Sequence, residues 1–174
     1  MDRFVSPSRL GAALLALCVP AAVHAQAVAP ARNAAGSTTI YKPLSLTKKQ
    51  DLDFGTIVVA GAGTVVVNPV THARSTTGGV SGIGAGAHPA VFTAVTGSKN
   101  SVVIIRIPRD PIVLTRNGGP ETMTVGAWTL DGDKTRKAAN GVAFDFAVGA
   151  TLNVGAAQAD GLYEGTFEVG VQYP

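Results

Sequence analysis

The sequence predicts an all-β fold, a sandwich of about seven to ten short strands that holds together with no disulfide. Three observations carry that expectation. From Thr38 onward, short runs rich in β-branched residues are punctuated by Gly, Pro, Asn and Asp, and no stretch shows sustained helical spacing. Residues 142–154 alternate between an apolar face of Val142, Phe144, Phe146, Val148, Ala150, Leu152 and Val154 and a small or polar face, as a strand lying on a core does. The only cysteine is Cys18, so packing and backbone pairing must supply the stability.

Residues 1–25 read as an export signal. Arg3 and Arg9 precede an apolar stretch at 10–19 that is too short to span a bilayer as a helix. Pro20 and then Val23, His24 and Ala25 follow, which places cleavage before Gln26. Lipid attachment at Cys18 ranks below plain cleavage, because Leu17 stands where a small residue is wanted. The expected location is therefore periplasmic, cell-surface or extracellular. Residues 26–37 are small and aperiodic and read as a flexible leader. Residues 38–174 then form one domain.

Removing Arg3, Arg9 and Asp2 from 14 basic and 11 acidic residues leaves 12 and 10, a net charge of +2. So small a charge points to no nucleic-acid partner. The clusters Lys48-Lys49 and 134–137 sit beside turn-forming residues and read as solvated charge.

Strands are expected at 38–46, 52–60, 63–68, 89–96, 101–107, 111–115, 121–130, 142–154 and 162–173. Turns at 61–63, 97–100, 117–120, 131–132, 140–141 and 160–161 separate them. Segment 101–107 is apolar on both parities except at Arg106, which suits a central strand with the arginine at its rim. Gly149 is placed to make a bulge or bend. In 162–173, Tyr163, Gly165, Phe167, Val169, Val171 and Tyr173 share one parity, so the chain is expected to end in a core strand. Trp128, on the parity of Thr124, Gly126 and Leu130, reads as a core-edge residue in preference to a glycan platform.

Catalytic and metal chemistry find little support. His72 and His88 each stand alone, with no second ligand at metal spacing. No nucleophile elbow positions a serine. Asp51 and Asp53 could face the same way on a strand, but no calcium loop completes them, and Asp131 with Asp133 is followed at once by Lys134, Arg136 and Lys137. The glycine-rich stretch 78–87 lacks the spacing of a phosphate loop and reads as a mobile surface loop. The expectation is a protein that is not an enzyme, with no cofactor, no metal and no evident small-molecule substrate.

The motifs Leu44-Ser-Leu-Thr47, Leu52-Asp-Phe-Gly-Thr-Ile57, Phe92-Thr-Ala-Val-Thr-Gly97, Phe146-Ala-Val-Gly-Ala-Thr-Leu152 and Gly161-Leu-Tyr-Glu-Gly-Thr-Phe167 together resemble a family of secreted alphaproteobacterial proteins of unknown function. The same order is more distantly similar to the pilin-like domains of spore-coat and archaic chaperone–usher fimbriae. That likeness implies an immunoglobulin-like sandwich finished by a strand from a chaperone or from another subunit. Ile40, Leu44 and Leu46 share a parity behind the leader, as a donor strand would, but Lys42 and Pro43 interrupt them. The preferred reading makes 38–46 the domain's own first strand. The residues expected to serve assembly are Ile40, Leu44, Leu46, Tyr163, Phe167, Val169, Val171 and Tyr173, and the expected partners are a second or related subunit and a periplasmic chaperone. A small outer-membrane barrel and a glycan-binding adhesin module built on Trp128 and the 78–87 loop are the alternatives. The barrel is disfavoured by the nine aromatics left after cleavage, several of which fall on the core parity.

Overall fold

A computed structural model describes residues 37–98, 100–139 and 141–174. The export segment 1–25 and, apart from Ser37, the leader 26–37 lie outside the described residues. In chain order the strands are β1 (Leu44–Gln50), β2 (Thr56–Val67), β3 (Arg74–Ile83), β4 (Ala90–Thr96), β5 (Ser101–Arg106), β6 (Ile112–Arg116), β7 (Thr122–Leu130), β8 (Thr135–Ala138), β9 (Ala143–Val154), β10 (Tyr163–Glu164) and β11 (Gly170–Gln172). There is no helix among the described residues. The fold is all-β, two curled sheets in a sandwich-like arrangement, and a chain with one cysteine has no internal disulfide.

The spine is β9. Its even residues from Phe146 to Val154 are buried, with Phe146 only 1% exposed, which contributes about 1.5–3 kcal/mol for that side chain alone. One edge of β9 is shared by two strands: β4 pairs along Ala143–Val148 and β2 along Ala150–Val154. The exchange falls at Gly149, where a Cβ would come within 2.2 Å of the Val67 carbonyl and 2.6 Å of Pro69. A side chain there would collide with the end of β2 and the turn that follows it. The other edge of β9 takes β7, then β6 and β10, while β1 extends the sheet beyond β4.

A second layer covers this sheet in two pieces. Over β4 and the first half of β9 lies a three-stranded sheet, β11-β5-β8. Its Ile105 meets Phe92, Phe146 and Val148, and the Phe92 and Phe146 rings stack at 5.5 Å across directly opposed positions. Over the second half of β9 lies the hairpin β2–β3, folded back on itself. Arg74 opens β3, yet its guanidinium reaches the carbonyls of Ile83 and Gly84 at the far end. Ten extended residues would span about 30 Å, so the strand must double over. The crease lies at the register break between Val59 and Gly63, where backbones touch: a Cβ on Gly79 would sit 2.5 Å from Gly61 atoms. The folded half brings Ile57, Val59 and Val80 onto Val65, Val125 and Leu152.

Several sequence expectations are corrected. The first strand is 44–50 and not 38–46, and it pairs with β4 within the domain. Lys48 and Lys49 therefore lie on a strand, where they pair with Asp51 and Asp145. Gly61 and Gly63 crease one long strand instead of separating two. The stretch 78–83 is half of β3 and not a mobile loop. Residues 135–138 are strand β8, and Asp131 is no solvated loop acid: it bonds Arg136 and the Ala147 amide. Residues 162–173 form two short strands on different sheets, joined by an irregular crossing at 165–169, although their odd side chains do face inward, as in strands that switch sheets. The parity of Trp128 also changes. Up to Val125 the odd residues of β7 are buried, but a bulge with Ala127 at φ 46° turns Trp128 and Leu130 inward in their place. Gly149 itself bears no bulge, since the irregularity sits on β7 opposite it. The expectation for 101–107 agrees with the structure: β5 is central in its sheet, and Arg106 is exposed at its end.

In the large sheet β1, β10 and the branch strand β3 each pair on one side only, and no pairing joins β1 to β10 among the described residues. Its aromatics Phe92, Phe144, Phe146 and Trp128 pack between the layers, which is opposite to the outward girdles of a membrane barrel.

Candidate functional site

Between the folded half of β2–β3 and the closing segment of the chain, the second layer leaves a groove of about 1020 Å³. Its bottom is made by Met123 and Val125 of β7 and Leu152 of β9, all buried. Its flanks carry Ile57, Val59, Ile112, Leu114, Tyr163 and Phe167, which are partly buried. Strand alternation explains this lining: Ile57 and Val59 share the inward parity of β2, and Ile112 and Leu114 that of β6.

The two walls present unpaired backbone. β2 pairs with β3 along Thr56–Val59 but meets β9 only from Gly63 onward, so over Thr56–Val59 one edge of β2 has no strand beside it. These residues line the groove, whereas the paired β3 residues do not. Opposite, Tyr163 and Glu164 pair with β6 on one side alone. Two free strand edges over an apolar floor can accept an extended segment by main-chain pairing.

The walls are fixed from behind. On one side, Arg74 donates to the carbonyls of Phe54 at 3.2 Å and Thr56 at 3.0 Å in addition to the two at the end of β3. On the other, the Tyr163 hydroxyl donates to the Ala159 carbonyl at 2.8 Å and accepts from Gln158 at 2.6 Å. Arg116 ties Glu121 at 2.6 Å and the Asp160 carbonyl at 3.2 Å. The Arg116 hydrogen bond holds the Glu121 carboxyl below its ordinary range and raises the guanidinium in return.

The eight expected assembly residues do not form one site. Tyr163 and Phe167 line the groove. Leu46, Val169 and Val171 instead pack against the other half of the core, and Leu44 is half-buried on β1 beside them. Tyr173 stacks on Tyr41 at 4.6 Å and bonds Thr96 and the Lys42 carbonyl, which anchors the start of the domain. Ile40 is 87% exposed and free of the core. The sequence reading missed Ile57, Val59, Ile112 and Leu114. Their alternation was visible, but nothing in the pattern said that the hairpin would fold over and leave them facing a gap.

The other candidate groups have structural partners. Asp53 caps the Gly55 amide at 2.7 Å and bridges to His88 through the backbone, and the His88 ring lies 3.0 Å from the Asp51 carbonyl. His72 occupies a turn at φ 58°. One face of Trp128 is covered by Phe167 at 4.7 Å, and its indole N–H donates to the Asp110 carbonyl. Of the loop expected to join Trp128 in a glycan surface, 78–83 lie in β3 and only 84–87 are outside a strand.

The fold and the groove together are those of an open-edged β-sandwich with an apolar-floored groove between two strand edges. The chain belongs to the family described as "Domain of unknown function (DUF4402)", which matches residues 44–173, from β1 through the closing segment. No curated protein and no solved structure matches it.

Proposed function

We propose that this protein is an exported, non-enzymatic structural subunit of the cell surface or extracellular space, of fimbrial type, that assembles by taking up an extended strand from a partner. The observation that carries the reading is the groove: a floor of Met123, Val125 and Leu152 between the free edge of β2 at Thr56–Val59 and the free edge of β10. A strand seated there would gain backbone pairing on at least one side and bury alternate side chains on the floor. Periplasmic export and a chaperone or sister subunit as partner follow from the signal-like residues 1–25 and from the distant likeness to pilin-like domains.

Hydrogen exchange on the chain from Gln26 to Pro174 tests this, alone and in assemblies recovered from the producing cell. Assembly is expected to slow exchange at amides 56–59 and 163–165 while leaving the outer face of β1 and β4 unchanged. Assemblies with unprotected groove amides would refute the reading.

A further inference from the structure

One edge of the large sheet lacks the charges that guard the others. Strand β3 pairs with β2 alone, and among the described residues no backbone hydrogen bond reaches 74–78 from any other element. From 75 to 87 the chain carries no charged residue, and Arg74 turns its guanidinium back onto carbonyls of its own hairpin and flank. The other strands paired on one side are charged or very short: β1 carries Lys48 and Lys49, β8 carries Arg136 and Lys137, β10 carries Glu164, and β11 has three residues. Edge charges keep sheets from pairing with other chains, and β3 is without them. The outer face beside this edge is uncharged as well. Val113, Thr124, Asn153, Thr64 and Thr77 stand in one register row across five strands, on the parity opposite to the buried Val65, Val125 and Leu152. At the end of that row Thr64 and Thr77 bond hydroxyl to hydroxyl at 2.6 Å.

We infer that residues 74–78 pair antiparallel with the same residues of a second copy, about a two-fold axis at Thr76, so that two large sheets join edge to edge. A two-fold contact sets identical edges side by side and brings each edge charge near a like charge, which the β3 edge avoids. The register opposes Ser75 of one copy to Thr77 of the other, twice over. Cross-strand hydroxyl pairs of this kind are favourable, and Thr64 with Thr77 forms one within a single chain. Five residues a side make about 17 Å of ladder, a small interface and hence a weak one. The contact is independent of the groove, since no groove-lining residue lies on β3.

Sedimentation equilibrium with hydrogen exchange on the chain from Gln26 to Pro174, from roughly 10 µM to 1 mM protein, tests the contact. The expected result is a concentration-dependent dimer with slowed exchange at those amides of 74–78 that face away from β2. The double variant Ser75→Lys/Thr77→Lys opposes lysine to lysine at both hydroxyl pairs and should weaken the dimer about fivefold or more. Mixing it in equal amounts with Ser75→Glu/Thr77→Glu chains should restore association, as the opposed register requires. Both positions are exposed, so the variants should keep the parent circular dichroism; where they do not, hydrogen exchange on the parent decides. A monomer throughout the range would overturn the inference. A dimer that protects amides 56–59 or 163–165 in place of 74–78, and that both variants leave unmoved, would overturn it too while leaving strand uptake at the groove intact.

Discussion

Replacing Arg74 by alanine should unlatch the folded hairpin. The side chain makes four N–H···O bonds, to Phe54 at 3.2 Å, Thr56 at 3.0 Å, Ile83 at 3.2 Å and Gly84 at 2.9 Å. Hydrogen bonds to a charged group contribute about 1.5–3 kcal/mol each when tested singly. Two of these are long, and all but the Phe54 carbonyl are exposed and regain water on truncation, so a sum over four overstates the loss. We expect about 2–3 kcal/mol. Arg74→Lys should recover little of it, since one ammonium cannot span four carbonyls arranged for a planar fork. Urea denaturation followed by Trp128, the only tryptophan, measures the loss, and hydrogen exchange locates it. Amides 56–60 and 79–83 should exchange faster in Arg74→Ala while β4 and β9 keep their protection. A loss below about 0.5 kcal/mol, or acceleration spread evenly over the domain, would refute the latch.

Gly79→Ala should act on the same crease by overlap with Gly61 and cost about 1–3 kcal/mol, read as a lower urea midpoint. Phe146→Ala removes the largest fully buried side chain from β9 and should cost about 3–5 kcal/mol, enough to shift thermal unfolding by many degrees. Asp145 accepts from Lys49 at 2.8 Å and Thr93 at 2.6 Å, and these bonds, Lys49 first, lower its pKa below the ordinary 3.8. A lowered folded value means a contribution that is full above about pH 4 and disappears as pH falls through the folded pKa. Because both partners are about half exposed, Asp145→Asn should cost under about 1 kcal/mol at neutral pH, and stability curves of variant and parent should converge in acid.

Alternation made most of the sheet legible. The faces of 144–154 and the central place of 101–106 follow from side-chain parity, which is local information, but Val142, placed on the core face by the same parity, precedes β9 and is 57% exposed. What parity cannot register is where a strand bends or changes partners. Gly61, Gly63, Gly78 and Gly79 read as turn or loop residues because glycine usually punctuates, yet here they let two backbones touch inside one hairpin. The charged run 134–137 read as solvent-facing loop, and it is solvent-facing, but as an edge strand whose polar side chains suit an open edge. Of the groove, only Tyr163 and Phe167 were foreseen, since the site is a gap left by the packing of distant elements and is written in no single segment.

The branching at β9 has a consequence for how the chain comes to be folded. The strands β2, β4 and β7 share few neighbours except β9, which lies near the end of the sequence. During N-to-C synthesis roughly 140 residues must emerge before the strand that unites them exists. Until then, hairpins such as β2–β3 can form locally, but the core has no common wall to close on, and the topology commits folding to contacts distant in sequence. The core can close only once β9 has joined the three strands that precede it.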